Sequence, residues 1–178
     1  MRLIKGLRRG GVVAAASTAA VIVATGVAVA ATFAIGGSTT TLQRVNTTDT
    51  PFLVGTAAAW QDVPNTAISV SVPSSRARVE STFNAESLCV KVSWCTTRAV
   101  VVNAAGAITE LLPASGTDYA FDSPTVANAW HSETMNRDSL FLAGGTYTVK
   151  VQAMMVSPVA GAMFRIDDYS HRVKLIAP

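Results

Sequence analysis

Residues 146–155 read Thr-Tyr-Thr-Val-Lys-Val-Gln-Ala-Met-Met, and this run decides the fold class. Tyr147, Val149, Val151, Ala153 and Met155 fall on one side of an extended chain, and Thr148, Lys150, Gln152 and Met154 on the other. A period of two is the repeat of a strand, so the first set is expected in a core and most of the second in water. Ile68, Val70 and Val72 alternate with Ser69 and Ser71 in the same way, as do Val173 and Leu175 with Arg172 and Lys174. These are half-buried strands of antiparallel type.

Working outward, short β-branched and aromatic runs separated by Pro, Gly, Asn, Asp and Ser continue from Pro51 to the C-terminus. Strands are expected at Phe52–Trp60, Ala67–Val72, Arg78–Asn84, Arg98–Asn103, Ile108–Leu112, His131–Met135, Thr146–Met155, Met163–Asp167 and His171–Ile176. Ala104-Ala105-Gly106 supplies a hairpin loop, Gly144-Gly145 precedes the central run and Ser157-Pro158 follows it. Helical periodicity is absent. Many short strands without intervening helices predict an all-β chain, an antiparallel β-sandwich of jelly-roll-like form.

Leu142-Ala143-Gly144-Gly145-Thr146-Tyr147-Thr148-Val149, followed by Phe164-Arg165-Ile166-Asp167-Asp168-Tyr169, resembles the closing strands of secreted bacterial β-sandwich proteins and of jelly-roll heads. The resemblance implies an architecture and no activity, because one sandwich scaffold carries many functions.

The N-terminus has a different composition. Met1–Gly11 holds Arg2, Lys5, Arg8 and Arg9 and no acid, and Val12–Ile35 carries no charge. A basic region before an apolar one is the pattern of an export signal, with small residues at Ala28-Val29-Ala30 and Val29-Ala30-Ala31 placing cleavage near Ala30 or Ala31. The apolar stretch is also long enough for an uncleaved anchor with the C-terminus outside. Without those four cations, ten Lys and Arg face eleven acids, a formal charge of −1. The remainder therefore has no basic patch to attract nucleic acid or an anionic membrane surface. Residues 36–50, rich in Gly, Ser and Thr, read as a flexible spacer, giving a domain at 51–178.

Cys89 and Cys95 are the only cysteines. An exported domain meets an oxidising compartment, where an even count favours a bridge. Leu88, Val90, Val92 and Trp94 alternate with Cys89, Lys91, Ser93 and Cys95, and a straight strand would hold the sulfurs' residues ~20 Å apart, whereas a bridge needs Cα atoms within ~7 Å. A chain reversal near Lys91 with an intrachain disulfide is the favoured solution, against a straight strand with free or intermolecular thiols.

Few residues carry chemistry. His131 and His171 are the only histidines, and both read as surface or strand-end residues; no serine lies in a nucleophile-elbow motif and no phosphate-cradling loop is present. Asp167-Asp168 reads as a turn between the last two strands, with a calcium site made by this pair with Asp118, Asp122 or Asn128 as the alternative. Tyr119, Phe121 and Trp130, with Asp118 and Asp122 beside them, form the candidate ligand surface, rings for stacking next to groups for hydroxyls; with Trp60, these rings otherwise plug the ends of the sandwich. The expectation is a non-enzymatic extracytoplasmic module, without cofactor or metal, acting by surface contact on itself, on another protein or on an envelope component. A carbohydrate-binding, lectin-like module is the alternative.

Overall fold

The computed structural model describes residues 39–178 except 57–58, 115 and 126–128. The expected signal or anchor segment at 1–35 lies outside the described residues, as does Asn128. Ten strands follow in order: β1 (Thr39–Thr48), β2 (Phe52–Val54), β3 (Gln61–Asp62), β4 (Ile68–Val72), β5 (Arg78–Val90), β6 (Trp94–Asn103), β7 (Ile108–Glu110), β8 (His131–Asp138), β9 (Gly145–Val156) and β10 (Met163–Ala177). They form two antiparallel sheets, one ordered β1-β10-β5-β8 with β2 also on β10, the other ordered β3-β9-β6-β7 with β4 also on β9. No helix occurs among the described residues. The architecture is a β-sandwich.

Alternation builds the core. Val149, Val151, Ala153 and Met155 of β9 are buried against Val79, Phe83, Ala85 and Cys89 of β5 and Phe164, Ile166, Val173 and Leu175 of β10 in one cluster. Phe83 is central, its ring 5.7 Å from Phe121 and 5.9 Å from Tyr169. The other face of β9 departs from expectation, since Gln152 and Met154 are also buried. Gln152 is held by Asp62 and by Arg98, whose guanidinium lies 4.2 Å from the half-buried Trp60 ring, so side chains cover this outer face in place of water.

Three expectations are corrected. Residues 39–48 of the expected spacer form β1, which pairs with β10 from Thr39↔Ala177 to Thr48↔Tyr169. The polar composition suits an edge strand, because Arg44 donates to the Ser69 carbonyl of β4 and Asn46 to the carbonyls of Asn65 and Ala67 in the segment leading into β4. Asp167-Asp168 is not a turn between two strands. It is a bulge within one continuous β10, where the register shifts between Asp167 and Ser170 and Asp168 takes a φ of 41°, the extra residue being accommodated without breaking the ladder. The expected strand 52–60 is cut short, with β2 ending at Val54 and β3 starting at Gln61.

The cysteines behave as the reversal requires. β5 ends at Val90, Lys91 adopts a φ of 54°, and β6 starts at Trp94. Cys89 and Cys95 are bridged, their Cα atoms 5.9 Å apart. Because β5 and β6 belong to different sheets, the bridge staples the corner where the chain crosses between them.

Candidate functional site

The inward register of β8 runs His131, Glu133, Met135, Arg137, while Ser132, Thr134 and Asn136 are exposed. Met135 is fully buried, but toward the start of the strand the inward positions turn polar. Ser87 of β5 sits opposite His131 in the ladder. Asp122 arrives from the segment between β7 and β8, which is pinned to the disulfide corner: Cys95 N–H donates to the Asp122 carbonyl at 3.0 Å, and Asp122 N–H returns a bond to Cys95 at 3.1 Å. These elements bring Ser87, Asp122, His131 and Glu133 together at one corner of the sandwich.

Asp122 is the hub. Its side chain is 1% exposed. The Ser87 hydroxyl donates to Oδ2 at 2.8 Å, and His131 Nδ1 donates to Oδ1 at 2.9 Å. Both oxygens thus accept, satisfying a carboxyl group that burial would otherwise penalise. The same bond fixes the proton on Nδ1 and orients the ring. It also raises the His131 pKa above its ordinary value, the hydrogen bond to Asp122 acting first and the Asp122 charge second. One ligand atom each from Asp122, His131 and Glu133 lie within 4.8 Å of one another.

The cluster opens into a shallow depression of about 640 Å³ lined by residues 120–123 and 130–133. Trp130 stands on its rim, 38% exposed. The Arg165 guanidinium lies 5.3 Å from the centre of its ring and also pairs with Asp167 at 3.4 Å.

The expected ligand surface is only partly assembled. Trp130, Phe121 and Asp122 line the same depression, but the Phe121 ring is 3% exposed because it packs on Phe83 in the core. Tyr119 is half-buried beneath the Arg137 guanidinium, 4.3 Å from its ring centre, and Asp118 is exposed without lining the depression. A platform of three coplanar rings is therefore not formed. Ser87, Glu133 and Arg165 were not singled out by the sequence. The readable signal was His131-Ser132-Glu133, which on a strand puts the imidazole and a carboxylate on one face.

The hydrogen-bond order limits the chemistry. Ser87 donates to the carboxyl group and not to the imidazole, and it is fully buried, so the cluster lacks the serine-to-histidine bond that activates a nucleophile. A second pair, Ser81 Oγ and His171 Nε2 at 2.9 Å, has that bond, with His171 Nδ1 donating to the Thr66 carbonyl. Ser81 and His171 are 1% and 0% exposed. Sealed between the sheets, the pair ties β5, β10 and the start of β4 together. No protein-family model matches the chain, and no curated protein matches it as a relative.

Proposed function

We propose that this chain is an exported, non-enzymatic β-sandwich that acts by surface contact with an extracytoplasmic protein or envelope component, through the Trp130 corner. The observation that carries the reading is Trp130 itself, exposed on the rim of an open depression with Arg165 stacked on it. Tryptophan and arginine are the residue types on which contact energy concentrates, and a rigid ring backed by a guanidinium loses little entropy on binding. The Cys89–Cys95 bridge supports an oxidising compartment, and the Met1–Ile35 composition supports export. The strand order supports the jelly-roll form, since successive strands from β5 onward pass largely from one sheet to the other and the first and last strands are neighbours.

The test immobilises the purified protein and measures its binding to solubilised envelope proteins from the producing cell and, separately, to a panel of glycans. Saturable protein binding is expected, weakened at least ten-fold by Trp130→Ala and by Arg165→Ala, with circular dichroism unchanged. Saturable glycan binding that is lost in Trp130→Ala establishes the lectin-like alternative instead.

A further inference from the structure

We propose that Asp122, His131 and Glu133 form a binding site for a zinc-like first-row divalent metal ion. One nitrogen and two carboxylates converge within 4.8 Å, a mixed donor set of the kind that zinc takes. Calcium requires six to eight oxygen ligands and does not favour imidazole; Asp118, Asp167 and Asp168, the other acids expected at a calcium site, are not in the cluster.

Placement argues further than proximity. His131 and Glu133 occupy inward register positions of β8, two residues apart on one face, so both side chains face the depression beside Asp122. Among the described residues Glu133 has no Lys or Arg salt-bridge partner. The imidazole Nδ1–H is already engaged by Asp122 at 2.9 Å.

The three ligands also differ usefully in rigidity. Asp122 is buried and held by Ser87 Oγ on its far oxygen and by backbone bonds to Cys95. Such an outer hydrogen bond orients a metal-binding carboxylate and raises affinity. His131 is partly exposed, its side chain 39% accessible, and so gives an ion an entry path. Tetrahedral ligands at ~2.1 Å from zinc stand ~3.4 Å apart, so Asp122 and His131 need separate by only about half an ångström as the ion replaces the Nδ1 proton. Three protein ligands leave one position open toward the depression, for water or for an oxygen donor lying there.

Tag-free, disulfide-bonded full-length protein, stripped with a chelator and dialysed, is titrated with zinc chloride by calorimetry. One ion per chain with micromolar affinity is expected. Glu133→Gln, at a partly exposed position, should weaken binding at least ten-fold while keeping the wild-type melting curve without metal, and His131→Ala should weaken binding as much while also lowering the melting temperature, since it takes a donor from the buried Asp122. Ser87→Ala should weaken it by ~10-fold through Asp122. The proposal is overturned if no saturable binding tighter than millimolar is seen, or if His131→Ala binds zinc as wild type does. These results stand apart from the Trp130 contact, whose variants leave all three ligands in place.

Discussion

At the scale of single residues, the two histidines have opposite fates. Nothing in their neighbours along the chain announces this, because burial is decided by which strand crosses above. His131 lies at an open corner and gains a carboxyl partner that raises its pKa; His171 is sealed in the core, and burial lowers its pKa below the ordinary value. With Nδ1 donating to the Thr66 carbonyl, the neutral ring accepts the Ser81 hydroxyl at Nε2. The unfolded chain then binds a proton near pH 6.5 that the folded chain resists. The His171 contribution is fully present above that pH and is lost as the pH falls through 6.5 toward the depressed native value. Urea unfolding between pH 7.5 and 5 should show this as a slope of at most about 1.4 kcal/mol per pH unit from this group. His171→Asn should flatten that part of the profile while lowering stability at pH 7.5; an unchanged profile would place the sensitivity elsewhere.

At the scale of elements, alternation was the legible signal, and it located β4, β9 and the second half of β10 with the correct core faces, though not the burial of Gln152 and Met154 on the outer face of β9. It failed where partners rather than periodicity decide. The Thr-rich run 39–48 has little apolar pattern of its own, with Leu42 its one residue packed on the core, yet β10 offers it a complete ladder. The candidate site was half legible for a similar reason. Trp130 and Asp122 stand out by residue type, but Ser87 and Arg165 reach the corner only through the β5–β8 and β5–β10 registers. If β1 is structural, a fragment starting at residue 51 should be less stable than one starting at residue 39 by at least about 3 kcal/mol. It loses three side-chain bonds to β4 and the segment leading into it, each worth ~1 kcal/mol, besides the ladder. It should also aggregate more readily, because the β10 edge is uncovered. Equal denaturation midpoints for the two fragments would show that β1 adds nothing.

At the scale of the whole molecule, the disulfide and the sheet order act together. Replacing Cys89 and Cys95 by serine should lower stability by ~2 kcal/mol in the chain-entropy model, since the closed loop is short. The domain should still fold, because the same corner is held by the Phe121 and Asp122 backbone bonds to Cys95. Thiol alkylation of the oxidised protein should be negligible, and denaturant unfolding of the double variant gives the loss; readily alkylated thiols would refute the bridge. The order of the first sheet has a temporal consequence. β10, the tenth of the described strands, is the inner strand on which both β1 and β5 are assembled. Thr40 finds Ile176 only once β10 has been made, so β1 waits without its ladder partner until the strands between them have been synthesised. Long-range pairing of this kind slows folding and leaves strand edges open to other chains meanwhile. Completion of the first sheet therefore waits for β10, and a chain interrupted before Met163 has no strand around which that sheet can close.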